Sequence, residues 1–528
     1  MTSELKSQMS IFITYFTKIQ VILLVIASFT FVSSLLFQIK EKEKLSIGFL
    51  LLTALFVFSF AALLDPFVNL WDERFHALVG KNLMDHPLLP TLYDDPIVNM
   101  AYDRWDRYHI WLHKQPFFLW QIALSFKLFG ISEFTLRLPD IILGVFMVMV
   151  GYRSGKLLVN RWVGYFTGLM ILSSIYLIEL IAGRQELEHN DFAFLAYISL
   201  SIWSLIEYHY SGKKYWIYLI GIFSGVAILC KWLVGLLIYF GWAILRMLQK
   251  RRKLQYNKDL LISLGITLLI ALPWQIYIFI YYPEEAIKAY ELNILHATYP
   301  LDGHRGTWWY HFDIFNTLYG PNALLLLIPS FFTLYKGIRD KHLFYSLLSM
   351  VIVVYIFFSL VSTKMPSFTI VVALIIFIAF SSLLHYILKF IVKTVKVKRF
   401  ESFIFGIGIV AIVLFRFDIE LLQEKHTHWK KSNHYKQHLE HNKKIFKSLD
   451  LPENTVLFNV KGRHYIEAMF YTGLPAYNFI PSKKQHEELI SKGRRVAIFH
   501  LNDNELPKYL LNDSTVLLIG KEIVYIDF

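Results

Sequence analysis

SIGFLLLTALFVFSFAALL, residues 46–64, runs directly into DPFVNLWDERF, residues 65–75. An uncharged apolar run of about 20 residues is the length a helix needs to cross a bilayer core. The change of character is abrupt, because Asp65, Asp72, Glu73 and Arg74 follow within one short stretch. Adjacent carboxylates at the mouth of a membrane helix are costly against lipid, so they need a cavity, a partner or water. This stretch therefore predicts a membrane fold with polar chemistry at one end of a span.

The rest of the chain agrees. Of 528 residues 55% are hydrophobic and only 18% are charged, with 45 Phe and 31 Tyr. Mean hydropathy is +0.45. Soluble domains carry about a quarter charged residues, and excess aromatics mark the two interfaces of a bilayer. The net charge of +13 fits basic cytoplasmic loops rather than a nucleic-acid partner, because of where the charges fall. Cys230 is the single cysteine, so no disulfide can form within the chain. The run from Ile11 to Phe37 is too long for a cleavable signal and reads as a first span.

Twelve apolar segments are expected to span: 11–37, 46–64, 136–157, 162–182, 191–208, 215–230, 233–247, 259–280, 320–336, 342–361, 367–388 and 402–417. Alternate connections are rich in Lys and Arg, from Lys40, Lys42 and Lys44 through to the cluster Lys389–Arg399. The short loops between them carry one basic residue each, Arg184, Lys231 and Lys364. By the positive-inside rule the basic loops are cytoplasmic. Loops 65–135 and 281–319 and the tail then face outward, which predicts a multi-pass protein of the inner (plasma) membrane with periplasmic or extracytoplasmic chemistry. The expected division is an extra helix and basic loop over 1–45, a membrane domain over 46–417, and an outward α/β domain over 418–528. Its strands are expected at Thr455–Val460, Arg495–Leu501, Thr515–Gly520 and Glu522–Phe528, with helices around Glu440–Leu449 and Ser482–Lys492. Pro116–Gly130 is apolar but too short to span, and reads as an interfacial helix.

The candidate chemistry lies in the outward segments. Asp72 or Glu73 is a candidate base for an acceptor hydroxyl; alternatively the pair opens a surface helix. Lys114, beside His113, can meet a lipid phosphate or simply anchor at the interface. Arg184-Gln185-Glu186-Leu187-Glu188-His189-Asn190-Asp191 is too polar for a plain hairpin, although Asn190 or Asp191 also suits an N-cap. In the loop Glu291–Pro321, His304 and Arg305 suit a phosphate or a metal, and Trp308 and Tyr310 suit a sugar face or the interface. His296, His304 and His311 lack standard metal-ligand spacing. The histidines from His426 to His441 sit among lysines and read as a surface arm rather than a chelate. The residues identify no cofactor, and a divalent metal is left open.

Taken in order, these features resemble a known family: the acidic pair, Lys-x-Pro before an apolar helix, FGISEFTLRLP, the Arg-plus-Asp turn, Leu272-Pro273-Trp274 and a late outward Ser-x-x-Lys. The chain is similar to the dolichyl-phosphate-mannose protein mannosyltransferases (glycosyltransferase family 39) and to the bacterial transferases that add 4-amino-4-deoxyarabinose to lipid A. The likeness covers about 46–390 and is most specific in HKQPFFLWQIALSFKLFGISEFTLRLP, 113–139. It implies a mainly α GT-C membrane fold and a polyprenyl-phosphate sugar donor. It also implies inverting transfer to a lipid, glycan or protein acceptor on the outer face. By motif position Asp72 is the catalytic acid position, Glu73 its neighbour and Asp191 the second acidic position. Lys114 is the phosphate-contacting lysine and Lys364 the late outward lysine. From the residues themselves, Arg184, Arg305 and Lys364 are expected as helpers at the phosphate, and His113, His304, Trp308 and Tyr310 are expected near acceptor or sugar. Two departures stand out: His113 replaces an acidic residue found in many relatives, and Gln115 replaces the first of two prolines. The rival class is a transporter or flippase, but the spans are almost free of ionisable residues, Glu179 and Lys231 excepted, and the halves look unlike.

Overall fold

The computed structural model describes residues 16–94, 96–98, 104–185, 189–249, 254–395, 401–423, 434–500 and 506–526. Contacts divide the chain into two units. The first combines residues 1–64 with 139–423, and the second combines 65–138 with 424–528. Residues 65–138, which the sequence places with the membrane domain, thus group with the C-terminal segment.

The first unit is helical. Every one of the expected apolar segments contains helix, from Lys18–Ile39 and Glu43–Ala62 to Lys341–Leu360 and Glu401–Arg416. Six helices among the described residues are long and apolar enough to cross a membrane. A seventh span is counted if Arg161–Leu172 and Ile175–Ile181, bent by 58° at their junction, form one crossing. Tyr215–Lys231 and Ala323–Gly337 are shorter apolar helices. Large apolar side chains stand exposed along these helices, Ile328 at 81% and Phe415 at 84%, as expected where lipid is the solvent. Between helices, small residues allow close approach: a Cβ on Gly155 would lie 2.9 Å from the Gly164 Cα. Buried hydroxyls supply the polar contacts, with Ser34 Oγ 2.8 Å from Tyr165 Oη and Tyr239 Oη 2.6 Å from Thr267 Oγ1.

The second unit is mixed. Strands β1 (Thr455–Phe458), β2 (Arg495–Phe499) and β3 (Leu517–Ile519) form a parallel sheet in the order β1-β2-β3. Thr455 pairs with Arg495, and Ala497 with Leu517. Helices Tyr465–Thr472, Lys483–Ser491 and Lys508–Leu511 fill the crossovers, which parallel neighbours require. The expected fourth strand does not form: residues 521–526 carry no strand. Instead the Val524 backbone is held by the Asn442 side chain, which accepts from its N–H at 2.9 Å and donates to its C=O at 2.9 Å. One side-chain amide thereby occupies the groups that a ladder would have used.

The long first loop folds onto this sheet domain. Tyr93 and Tyr477 stack at 5.1 Å, and the Tyr93 hydroxyl donates to the Ala476 carbonyl at 3.1 Å. The Tyr465 hydroxyl donates to the Asp106 carbonyl at 2.6 Å. Within the same unit Pro116–Phe129 is a helix, as the sequence predicts. It buries Phe118, Leu119, Ile122 and Phe126 while Leu124, Leu128 and Phe129 stay exposed. A helix apolar on both sides suits a seat between protein and membrane interface.

Candidate active site

Asp72 begins the helix Asp72–Asn82, and the residue before it is held in an unusual conformation. Trp71 has φ 66°, a left-handed value that costs a bulky residue of order 1–3 kcal/mol. Packing holds it there: the Arg463 guanidinium lies 4.3 Å over the Trp71 ring, and Trp105 packs edge-on at 6.0 Å. The strained step presents Asp72 at the helix N-terminus, where the backbone dipole favours a carboxylate. Asp72 is 2% exposed, and Lys114 Nζ lies 2.8 Å from its Oδ2. His113, next to that lysine, stacks on Trp105 at 4.4 Å. The sequence-predicted Asp72, His113 and Lys114 are therefore brought together.

Glu73 points elsewhere. Its carboxylate accepts from Arg137 Nε at 2.7 Å and Nη2 at 3.0 Å, and from the Asn69 N–H at 2.5 Å. Both side chains of the ion pair are fully buried. Arg137 also donates to the carbonyls of Asp65 and Phe67, at 2.7 and 2.8 Å. This pair fastens the turn 65–71 and orients the chain that leads into Asp72. Arg137 lies inside the FTLRLP stretch, where the sequence reading gave it no role. An arginine in an apolar run that needs a buried acid was the available signal.

In the first unit Asp191 opens the helix Asp191–Ser211 and is 2% exposed. It is bonded to Lys231 Nζ and to Ser367 Oγ. Lys231 ends the helix Tyr215–Lys231, and Trp232, at φ 76°, breaks the chain before Leu237–Leu248. The gap that made 215–230 and 233–247 look like weak spans is what places this lysine. The sequence reading places neither Lys231 nor Ser367 in the site, although Lys231 stands out as an ionisable residue among apolar ones.

The other expected cations have different partners. Arg184 is fully buried, donates to the Leu422 carbonyl at 2.5 Å and lies 3.6 Å from Glu179. Lys364, 4% exposed, donates to the carbonyls of Phe358, Ser359 and Val361 at 2.9, 2.7 and 2.6 Å. It caps the end of the helix Lys341–Leu360, whose last carbonyls lack partners within the helix. The His304 carbonyl accepts the Lys364 N–H at 3.1 Å. Arg305 and Trp308 are exposed and Tyr310 is half-buried. Burial drives the imidazole of His311 down to about 4, with the charge of Lys364 acting the same way. Among the described residues no three His, Cys, Asp or Glu side chains converge as a metal site. Glu186, Glu188, His426 and His428 lie outside the described residues.

The sequence profile of the dolichyl-phosphate-mannose-protein mannosyltransferases matches residues 113–277. An uncharacterized protein of Aquifex aeolicus is 25% identical over 300 residues, which is 56% of this chain and 55% of that protein. The chain thus aligns with about half the length of that relative. Among solved structures, ArnT from Cupriavidus metallidurans bound to undecaprenyl phosphate superposes with a TM-score of 0.63 at 14% identity, covering 84% of this chain and 88% of that one. The archaeal oligosaccharyltransferase AglB from Archaeoglobus fulgidus, in complex with an inhibitory peptide and a dolichol-phosphate, gives 0.52 at 11% identity, covering 81% and 63%. The chain thus has the mainly helical GT-C-type fold of these solved structures, and over residues 113–277 its sequence is similar to the protein mannosyltransferases.

Proposed function

We propose that the chain transfers a sugar from a polyprenyl-phosphate donor to an acceptor hydroxyl on the outer face of the inner (plasma) membrane, with inversion at C1. The observation that carries this reading is the pairing of the buried Asp72 with the partly exposed Lys114 at 2.8 Å, on a fold shared with a structure that holds undecaprenyl phosphate. A base and a phosphate-binding cation are the two groups such a transfer needs. While the site waits, each neutralises the other. When the donor phosphate arrives it draws Lys114 to itself, and the Asp72 carboxylate becomes available as a base.

The acceptor oxygen attacks C1 from the face opposite the phosphate and gives its proton to Asp72. The C1–O bond to phosphate breaks, and the polyprenyl monophosphate leaves with the electron pair. Lys114 stabilises the charge that grows on that leaving oxygen. His113 and its aromatic neighbours hold Lys114 in register. Asp191, fixed by Lys231 and Ser367, keeps the role of positioning the acceptor or polarising the sugar. The acceptor classes this reading admits are glycolipids, glycans and protein hydroxyls, and the sugar classes are hexoses and pentoses.

The test is release of polyprenyl phosphate and formation of glycosylated product by the purified chain, supplied with polyprenyl-phosphate sugars and envelope acceptors. Asp72→Asn is expected to lower the rate by about 10²–10⁴-fold while leaving the thermal unfolding midpoint near that of the unaltered chain. A variant with near-normal turnover would remove Asp72 from the role of base. Solute uptake by the unaltered chain, without any transfer, would favour a transporter.

A further inference from the structure

The second unit contains a cavity of about 290 Å³ that the transfer chemistry does not use. Its walls include Arg74, Arg104, Arg107, Arg463, Asp106 and Asn478. Four guanidinium groups thus face one carboxylate, and that carboxylate is already engaged. Asp106 accepts from Arg104 Nε and Nη2 at 3.0 and 2.8 Å, and from Arg463 Nε at 2.7 Å.

Arg74 supplies the independent observation. It is 1% exposed, and its Nη1 is paired with Glu467 Oε1 at 3.1 Å. Its Nε and Nη2 are buried and make no hydrogen bond among the described residues. Glu467 is itself shared with His464, whose Nδ1 lies 2.9 Å from its Oε2. A buried guanidinium with unmade bonds is expensive, because each lost partner costs the desolvation of a charged donor. An anion in the cavity would satisfy it, and a planar fork of donors suits phosphoryl or carboxylate oxygens in particular.

The cavity is also shaped on purpose at its rim. Gly462 adopts φ 57°, and a Cβ there would meet the Tyr525 ring at 2.5 Å. The missing side chain lets that half-exposed ring lie against the backbone as a wall of the cavity. Lys114 is absent from the lining, so the candidate donor-phosphate lysine and this cluster are separate sets of residues.

We propose that this arginine cluster is a binding site for an anionic group, phosphoryl or carboxylate, carried by a small polar molecule. The site stands apart from the transfer reading and needs no turnover to be detected. Its test is calorimetric titration of the full chain in nanodiscs of zwitterionic lipid with glucose 1-phosphate, with glucuronate and with glucose. Binding of one or both anionic sugars, weakening with added salt, and no heat from glucose are expected; the two anions tell phosphoryl from carboxylate preference. Arg104→Gln and Arg107→Gln, at the more exposed side of the cavity, are each expected to weaken that binding about tenfold, the scale of one charge-assisted hydrogen bond. Arg74→Gln is expected to weaken it at least as much; if it fails to fold, the two rim variants decide. Binding should persist in Asp72→Asn, which separates this site from catalysis. Equal heats from glucose and the anions, or anion binding unmoved by both rim variants, would overturn the proposal.

Discussion

At the scale of single residues, neighbouring carboxylates have been given opposite tasks by their partners. Asp72 meets a lysine that is 17% exposed, while Glu73 meets a fully buried arginine with matching fork geometry. Breaking a buried ion pair leaves an uncompensated charge, which costs about 3–5 kcal/mol. Glu73→Gln is therefore expected to lower the unfolding midpoint and the yield of folded protein, whereas Asp72→Asn lowers turnover. Thermal unfolding beside a transfer assay separates the two. Lys364 belongs with Glu73 rather than with Asp72. All its ammonium bonds to backbone carbonyls end one helix, so Lys364→Met is expected to cost about 1–3 kcal/mol of stability. The affinity for polyprenyl phosphate, followed by titration, should stay within about twofold. A larger loss of affinity would return Lys364 to the donor site.

At the scale of elements, the helix Asp72–Asn82 is seated by its contact with Pro116–Phe129. A Cβ on Gly80 would sit 2.5 Å from Ile122 Cγ2, and Ile122 is fully buried. The side chain has nowhere to go, so Gly80→Ala is expected to destabilise by about 1–3 kcal/mol. In an Ile122→Ala background, which lacks that Cγ2, Gly80→Ala should cost less than it does in the unaltered chain; a denaturation midpoint for each variant checks it. Elements of this kind were legible in the chain as written. The span 46–64, the interfacial helix and the helix near 482–492 follow from apolar run length and turn signals, which are local. The strand expected over 522–528 shows the limit. Its alternation is real, but the backbone N–H and C=O of Val524 are bonded to Asn442, far away in sequence.

At the scale of the whole molecule, the second unit is held by charge pairs between remote segments, and these respond to pH. Burial works to raise the Glu467 carboxyl, but His464 and Arg74 outweigh it and hold it below its ordinary 4.5. A depressed carboxylate contributes stability that is complete above the unfolded value and disappears as pH falls through the folded one. The second unit is thus expected to lose stability as pH falls below about 4.5, seen as a falling midpoint in thermal scans. Glu467→Gln should flatten that dependence. What the sequence by itself determined is the membrane class, the helical segments, the order of the acidic and basic motifs and the family they resemble. All of these depend on run length, charge alternation and spacing, which are properties of neighbours along the chain. Only the tertiary structure decided that the first long loop folds with the C-terminal segment, that Glu73 belongs to Arg137 and Asp191 to Lys231 and Ser367, and that Arg184 and Lys364 are tied to backbone carbonyls. Those outcomes depend on which buried charge finds which partner. A partner chosen by three-dimensional proximity leaves no mark in local spacing, and this is why Asp72 and Lys114 stand out as motif residues while their pairing with each other, and the arginine cavity of the same unit, do not.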